Sequence, residues 1–315
     1  MKKKVVVLGG GSGMSALLTG LKEFPVDITA VVSVCDDGRS TGKLREEFHI
    51  PAVGDIRKVL VSLSETEPLV EELLNYRFKT TSDLNGHAVG NLLLTAMSNM
   101  TGNLSDGIEA IGKVLKLKGT VLPLTEDQVV LVGNMTDGTV VEGEHNITEC
   151  NKKVASVYYK EIPKVNKKVI NAINEADMII LSMGSIYTSI IPNLLCKEVI
   201  KALDKSKAPI VYTCNMMTQP GETDGLSVSN HVKIINQYLG KRKISVVIAN
   251  TGKISEATRK RYETLEQKDP VVLDIDNLTD VKVISNNYVK VSGGYLRHDA
   301  IILSMDIFKY LMTKK

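Results

Sequence analysis

Short apolar runs alternate with longer amphipathic segments along the whole chain of 315 residues. The short runs are rich in Val and Ile, as β-strands are, and several are apolar at every position. A strand with no polar face is typical of a parallel sheet that is covered on both sides. The longer segments between the runs repeat their apolar residues with helical spacing. This alternation predicts an α/β fold with a doubly wound, mainly parallel sheet.

The same patterns predict where the elements lie. The predicted strands are Val5–Leu8, Ile28–Val34, Val129–Val132, Met178–Leu181, Ile210–Cys214, Val246–Ala249 and Val271–Leu273. The predicted helices are Gly13–Lys22, Pro68–Phe78, Asn91–Met100, Ile108–Leu115, Val165–Glu175, Ile186–Leu203, Val228–Leu239 and Ser255–Leu265. Between residues 129 and 162 strand-like runs follow one another around an Asp137-Gly138 turn, which is typical of a hairpin. We therefore expect one domain over residues 1–315, with an antiparallel, β-rich insertion at about 129–162.

Composition and charge exclude several classes of function. The 39 basic and 36 acidic residues leave a net charge of only +3, whereas nucleic-acid-binding proteins concentrate basic charge. No run approaches the roughly 20 apolar residues of a membrane span, and the apolar run after the basic start is too short for a signal peptide. The four cysteines lack metal-ligand spacing, which favours reduced thiols. We expect a cytoplasmic protein with neither nucleic acid nor membrane as a partner.

A glycine-rich segment, Gly9–Gly13, directly follows the first predicted strand and precedes the first predicted helix. Gly11, Gly13 and Ala16 match the spacing of the dinucleotide-type fingerprint. Glycines let the backbone approach a phosphate group, and the helix N-terminus offers free N–H groups. Gly10, Gly11, Ser12 and Gly13 are therefore predicted to bind a phosphate. The alternative is a turn that binds no ligand.

Two adjacent carboxylates, Asp36 and Asp37, follow the second predicted strand. A single acidic residue at this place usually binds a ribose hydroxyl group. Two of them, followed by a loop of Gly, Ser and Thr, suggest a divalent ion or a ribose-pyrophosphate; the alternative is an Asx-turn that closes the strand. The segment from Gly38 to Lys43 is one residue too short for a Walker A loop, and Leu44 replaces its Ser or Thr.

Other segments add polar groups to the same region. Asp55 and Arg57 stand at the predicted start of a helix, where Asp55 is either a helix cap or a functional acid. His87 and Asn91 are four residues apart and are expected to share a helix face. Gly184 and Ser185 follow another strand, and a polar segment, residues 215–223, follows the next. Ligands of open α/β sheets bind at the carboxyl ends of strands, so these loops are predicted to converge on one crevice.

Two later segments place scarce arginines beside tyrosines. Only eight of the 39 basic residues are Arg, and they include Arg261 beside Tyr262 and Arg297 near Tyr295. A Tyr ring can stack on a nucleobase, and an Arg can bind a diphosphate through two hydrogen bonds. The alternative for the first segment is a solvated helix face.

Six motifs together resemble the family of bacterial gluconeogenesis factors and 2-phospho-L-lactate transferases, from about residue 3 to residue 300. The motifs are Gly9–Ser15, Val34–Arg45, Gly54–Arg57, Gly86–Asn91, Gly184–Pro192 and Cys214–Thr223. The resemblance implies a Rossmann-like fold with a nucleotide in its crevice. For the transferase branch it implies magnesium-dependent transfer of a phospholactyl group from a guanosine diphospho-donor to a deazaflavin. For the gluconeogenesis-factor branch, which the sequence resembles more, it implies UDP-N-acetylglucosamine binding and a role in cell shape during growth on gluconeogenic carbon.

The resemblance also implies which positions hold the ligand. They are Gly10, Gly11, Ser12, Gly13, Asp36, Asp37, Asn91, Gly184 and Ser185, with Tyr262 and Arg297 as further candidates. Two positions depart from the family pattern. Met183 stands where relatives tend to have Pro, and Ala300 stands where relatives can carry a Thr that is phosphorylated.

Three hypotheses follow. In the first, a non-catalytic regulator binds a UDP-sugar: Arg45, Arg57 and Arg297 hold the diphosphate with the glycine loop, Asp36 or Asp37 holds the ribose, and Tyr262 stacks on uracil. In the second, a transferase uses Asp36 and Asp37 as magnesium ligands on a diphospho-donor. In the third, the fingerprint binds an NAD-type dinucleotide for hydride transfer, although no matching constellation is visible. The sequence predicts no catalytic residue, and a homodimer is expected only as the commonest oligomer.

Overall fold

The computed structural model describes residues 2–150, 152–293 and 295–313. The strands are β1 (Lys3–Gly9), β2 (Val26–Val32), β3 (Thr120–Pro123), β4 (Leu131–Met135), β5 (Val140–Glu142), β6 (Val154–Tyr159), β7 (Met178–Leu181), β8 (Ile210–Thr213), β9 (Val246–Asn250), β10 (Lys282–Asn286), β11 (Val289–Ser292) and β12 (Tyr295–His298). The α-helices are α1 (Gly11–Leu21), α2 (Arg39–Phe48), α3 (Gly54–Leu63), α4 (Pro68–Asn75), α5 (Val89–Thr101), α6 (Leu104–Val114), α7 (Glu144–Glu149), α8 (Lys167–Glu175), α9 (Lys197–Lys205), α10 (Val228–Asn236), α11 (Glu256–Glu266) and α12 (Ala300–Thr313).

Seven parallel strands form the central sheet in the order β10-β9-β8-β7-β1-β2-β3. Strands β1, β2 and β3 form one half of the sheet in that order. Strand β7 pairs with the other side of β1, and β8, β9 and β10 follow it to form the other half. Strands β7 and β8 and residues 5–9 of β1 are fully buried, as their apolar runs predict. The order reverses between β1 and β7, which is where a doubly wound sheet opens a crevice. The predicted Rossmann-like fold is confirmed.

A small antiparallel sheet of β5, β4 and β6 interrupts this alternation. It occupies the region predicted as an antiparallel insertion, and the turn at Gly138 has the positive φ of 84° that suits a glycine. The insertion also carries the short helix α7, which the sequence pattern did not indicate. A separate hairpin of β11 and β12 leads into the last helix, α12. That the whole chain is a single domain stays a prediction.

Two predicted elements are wrong. Val271–Leu273 is not a strand, because this run is only partly buried and Pro270 confines its pairing to one isolated bridge with Met217. The predicted helix Ile186–Leu203 is instead a π-helical turn (Ile186–Ile190), a 3₁₀ turn (Ile191–Leu194) and then α9. Pro192 lacks the N–H group that a continuous helix would need at this point.

Helix α1 lies between the sheet and the last helix of the chain. A Cβ atom at Gly20 would stand 2.0 Å from the carbonyl oxygen of Ala300, so α1 and α12 are in backbone contact. The Ser304 hydroxyl lies 3.5 Å from the carbonyl oxygen of Leu17 and donates to it. Helix α1, which begins with the glycine loop, is therefore packed against α12.

Candidate functional site

Two adjoining cavities lie at the carboxyl ends of the central strands. The wide cavity has a volume of about 400 Å³ and the narrow cavity about 280 Å³. Five residues line both of them, and these come from the loops after β1, β7 and β8: Ser12, Gly13, Gly184, Ser185 and Gln219. The cavities thus form one crevice at the point where the strand order reverses, as predicted from the sequence.

The glycine loop forms the floor of this crevice. Gly11 has a φ of +69°, a conformation that favours glycine, and a Cβ at Gly10 would stand 2.7 Å from a carboxylate oxygen of Asp55. A Cβ at Gly13 would stand 2.1 Å from the carbonyl oxygen of Met183. No side chain caps the N-terminus of α1. Its first N–H groups are therefore free to donate to an anion in the crevice.

The wide cavity combines apolar and aromatic walls with cationic groups. Tyr262 is buried at its edge, and its hydroxyl oxygen accepts a hydrogen bond of 2.7 Å from the backbone N–H of Leu296. The guanidinium groups of Arg261 and Arg297 each lie 5.5 Å from the centre of the Tyr295 ring. Such walls suit a flat aromatic group attached to an anion.

The narrow cavity carries an excess of acid. Asp36, Asp55 and Glu144 line it together with Lys58, whose ammonium group lies 2.9 Å from the Asp55 carboxylate. Burial and the Asp55 charge raise the pKa of Asp36. Burial, followed by the charge of Asp36, raises the pKa of Glu144 to about 7. This cavity therefore offers hydrogen-bond acceptors next to the free N–H groups of the glycine loop.

Polar contacts fix the loops at the junction of the two cavities. The backbone N–H of Gly184 donates to the side chain of Asn215 at 2.9 Å, and the Asn215 amide returns a bond of 2.6 Å to the Gly184 carbonyl oxygen. The Ser185 hydroxyl donates to the buried carboxylate of Glu222. Burial raises the pKa of Glu222 to about 7. The loops after β7 and β8 are thus held together on one side of the crevice.

The family model described as 2-phospho-L-lactate transferase CofD matches residues 5–289, which include the glycine loop and the loops after β2, β7 and β8. The chain belongs to the CofD family. Similar proteins include the gluconeogenesis factors of Halalkalibacterium halodurans and Bacillus subtilis, each 44% identical to this chain. The first alignment covers 98% of this chain and 96% of the relative, and the second covers 95% of both. A crystal structure of a Bacillus halodurans protein matches with a TM-score of 0.94 at 43% identity, over 98% of this chain and all of the other.

Most of the predicted ligand positions in this CofD-family chain line the crevice. They are Gly10, Gly11, Ser12, Gly13, Asp36, Gly184, Ser185, Tyr262 and Arg297. Four others, Asp37, Arg45, Arg57 and Asn91, line neither cavity. Which of these residues touch a nucleotide stays a prediction.

The two arginines outside the crevice have partners inside the protein. Arg45 is buried, and its guanidinium donates to the carbonyl oxygens of Asp36, at 3.0 Å, and of Val129. Arg57 is also buried and donates to the side chain of Asn75. Burial lowers the pKa of Arg57, as expected for a cation without a carboxylate partner. Both arginines therefore anchor the loops and helices beside the crevice.

Asp37 and Asn91 are likewise occupied by contacts within the protein. The Asp37 carboxylate accepts hydrogen bonds from the backbone N–H groups of Glu144, at 3.2 Å, and His145, at 2.9 Å, at the start of α7. The Asn91 amide donates to the Ser40 hydroxyl at 3.2 Å. Of the adjacent aspartates, only Asp36 lines the crevice. Over residues 2–150, 152–293 and 295–313, no group of three or more His, Cys, Asp or Glu side chains is arranged to hold a metal ion.

His87 does not share a helix face with Asn91, because α5 begins only at Val89. Its ring nitrogen Nδ1 nevertheless lies 3.0 Å from the Ser40 hydroxyl that Asn91 also contacts. The predicted shared helix face is therefore wrong, and the two side chains are instead linked through Ser40 of α2.

Several residues that line the crevice or contact its lining residues were not assigned from the sequence. Lys58 lies one helical turn after Asp55, a spacing that could have indicated their ion pair. Glu144 belongs to the insertion, and Glu222 lies in the polar segment after β8, where no pattern distinguishes it from its neighbours. In the described part of the chain, no helix is both long enough and apolar enough to span a bilayer.

Proposed function

We propose that this protein is a gluconeogenesis factor that binds a nucleotide sugar of the UDP-N-acetylglucosamine type and supports cell shape during growth on gluconeogenic carbon. One observation carries the proposal. The glycine loop lies between an aromatic, cationic cavity and a cavity rich in acceptors, so a diphosphate at the loop can reach both. The two relatives called gluconeogenesis factors, which align over nearly their whole length, support the same conclusion.

In this proposal the uracil ring occupies the wide cavity beside Tyr262, and Arg297 approaches the diphosphate. The N–H groups of Gly11 to Gly13 and the junction residue Ser185 provide the anion site. The carboxylates of the narrow cavity accept hydrogen bonds from sugar hydroxyl groups, with Asp36 as the first acceptor. Because the ligand touches loops from both halves of the sheet, it favours whichever arrangement of the halves binds it better. We propose that this shift is the signal passed to a partner.

Calorimetry with UDP-N-acetylglucosamine tests this assignment. We expect Arg297→Ala and Tyr262→Ala each to weaken binding at least tenfold, which corresponds to about 1.4 kcal/mol. Arg259→Ala is the control, because this exposed arginine of α11 lines neither cavity. If both cavity variants keep the wild-type affinity within about twofold, the nucleotide does not lie where we place it.

The family description favours a second candidate, a magnesium-dependent transferase of the 2-phospho-L-lactate transferase type. Magnesium is often held by one or two carboxylates together with substrate phosphates, and Asp36 and Asp55 face the narrow cavity. A transferase would release a nucleoside monophosphate from a guanosine diphospho-donor in the presence of magnesium, and Asp36→Asn would abolish that release. If no donor in a panel is consumed with magnesium, this candidate fails.

Thermal stabilisation by UDP-N-acetylglucosamine, GDP and NAD, each with and without magnesium, separates the candidates. A ligand at 100 times its Kd adds about 2.7 kcal/mol of stability. Stabilisation by the UDP-sugar without magnesium supports the regulator, and magnesium-dependent stabilisation by GDP supports the transferase. Stabilisation by NAD alone, followed by hydride transfer, would instead indicate that the glycine fingerprint serves an oxidoreductase.

A further inference from the structure

Glu222 is a buried carboxylate in contact with Ser185 and Gln219, two residues that line both cavities. It is only 2% exposed, and its Oε1 atom accepts a hydrogen bond of 2.7 Å from the Gln219 amide. Its Oε2 atom accepts from the Ser185 hydroxyl and from the backbone N–H of Tyr187, the latter at 3.3 Å. Among the described residues, no lysine, arginine or histidine forms an ion pair with this carboxylate. A buried negative charge therefore stands directly beside the proposed anion site.

The hydrogen bonds of Ser185 explain why this charge matters. A serine hydroxyl has one hydrogen to donate and two lone pairs that accept. The hydrogen goes to Glu222, while the lone pairs accept from the backbone N–H of Thr188, at 2.9 Å, and from the Thr188 hydroxyl, at 2.8 Å. As long as Glu222 is ionised, the Ser185 side chain has no donor left for a ligand, although it lines both cavities.

We propose that a diphosphate ligand binds at Ser185 together with one proton, which is taken up from solvent by Glu222. Protonated Glu222 donates its new O–H to Ser185, and the Ser185 hydroxyl is then free to donate to the phosphate. The Thr188 hydroxyl turns from Ser185 toward the Glu144 carboxyl, with which it also forms a hydrogen bond. The proton cancels the negative charge of the carboxylate to which Ser185 donates. The proposal rests on the proposed function, because it requires an anion at the junction.

The groups around Glu222 set the pH range. Burial raises its pKa to about 7, against the opposing effect of the hydrogen bonds from Ser185 and Tyr187. The charge of Asp224, on the same loop, raises this pKa further, and the Tyr187 hydroxyl from the facing turn stays neutral because its own pKa is raised to about 12. A bound diphosphate raises the pKa of Glu222 above its value in the free protein. Affinity therefore falls as pH rises through neutrality.

Calorimetry with UDP-N-acetylglucosamine in two buffers of different ionisation enthalpy measures the proton directly. The esterified diphosphate of this probe does not titrate near neutral pH. At pH 7 we expect uptake of about half a proton per ligand, and a fall in affinity of about fivefold or more from pH 6.5 to pH 8.5. Glu222→Gln should bind with clearly less proton uptake and a weaker pH dependence than the wild type, because only Glu144, whose pKa is also raised to about 7, is then left to take up a proton. Uptake equal to that of the wild type would assign the proton to Glu144 and overturn the proposal.

Glu266→Gln is the matched control. Glu266 lines the wide cavity, and its carboxylate lies 2.8 Å from the Lys268 ammonium group, so it has a cationic partner that Glu222 lacks. This variant should retain the proton uptake and the pH dependence of the wild type. If the wild-type protein binds the UDP-sugar with no proton uptake and with the same affinity at every pH, the proposal is overturned while the nucleotide site stands.

A measurement without the UDP-sugar distinguishes failure of the proposed function from failure of the proton-coupling proposal. If the UDP-sugar does not bind at any pH, the proposed function fails, and the Glu222 carboxyl is then titrated by ¹³C NMR in glutamate-labelled full-length protein. A midpoint near 7 that rises when inorganic pyrophosphate is added supports proton-coupled anion binding. A midpoint below about 5.5, or one that pyrophosphate leaves unchanged, overturns it. The same titration applies if Glu222→Gln does not fold.

Discussion

The contact between Gly13 and the loop after β7 gives the sharpest stability prediction. A Cβ at this position would stand 2.1 Å from the carbonyl oxygen of Met183 and 2.7 Å from its carbonyl carbon. These are backbone atoms, which would have to retreat by roughly 1 Å to reach van der Waals contact. Overpacking of this kind costs about 1–3 kcal/mol, while Ala in place of Gly within a helix returns at most about 1 kcal/mol. We expect Gly13→Ala to lower the free energy of unfolding by about 1–2 kcal/mol.

The assay is urea denaturation together with calorimetric binding of UDP-N-acetylglucosamine. Gly20→Ala is the matched control, since its Cβ would meet the Ala300 carbonyl oxygen at 2.0 Å on the side of α1 that faces α12. Both variants should lose stability, but only Gly13→Ala should also weaken ligand binding, because it pushes apart two loops that line the crevice. A Gly13→Ala protein as stable as the wild type would refute the steric argument. Equal loss of affinity in both variants would refute its link to the site.

Three further predictions concern buried polar groups. Arg45→Lys should lower the free energy of unfolding by about 2 kcal/mol in urea denaturation. The reason is that a single ammonium group cannot replace a guanidinium that donates to several buried carbonyl oxygens. An unchanged denaturation midpoint would show that these hydrogen bonds do not stabilise the loop. Glu222→Gln should be more stable than the wild type at pH 8 and no more stable at pH 5. Because the pKa of Glu222 is raised in the folded protein, the folded state binds one more proton than the unfolded state between about pH 4.5 and 7. The wild-type free energy of unfolding therefore falls over that range, by at most on the order of 3 kcal/mol. Equal stabilities of the variant and the wild type at pH 8 would contradict this. Glu126→Ala should cost about 1 kcal/mol, because the Glu126 carboxylate caps α6 by accepting the N–H groups of Leu104, at 3.0 Å, and Ser105, at 2.9 Å. Chemical denaturation beside Glu149→Ala, in which an exposed glutamate is removed, checks this value.

The fold could be predicted from the sequence where a run is buried on both faces. Met178–Leu181 was predicted with its observed bounds because all four residues are apolar. The edge strand β10 was missed, since its residues are only partly buried and it has no apolar run. The loop at Gly10 could be predicted as well, because its glycines, the strand before it and the helix after it all point to the same structure.

The role of a site residue could be predicted from the sequence only where the residues it contacts lie close to it in sequence. The rarity of Arg suggested that Arg45 binds a ligand, but its partner Val129 lies 84 residues away and nothing near Arg45 indicates that contact. Asp37 was assigned to the ligand site with Asp36 because the two are adjacent in sequence, whereas it caps a helix of the insertion. Glu144 enters the crevice from that same helix. Arg45, Asp37 and Glu144 therefore share one cause, an insertion whose docking the sequence does not specify.

The contact between α1 and α12 has a consequence for biosynthesis. The glycine loop and α1 are synthesised long before α12, which packs on one face of α1 through contacts such as the one from Ser304 to Leu17. Strand β1 likewise waits for β7, about halfway along the chain. Such non-local pairing slows folding. The nascent chain therefore keeps the edge of β1 exposed until β7 is made, and it keeps one face of α1 exposed until the residues of α12 are made.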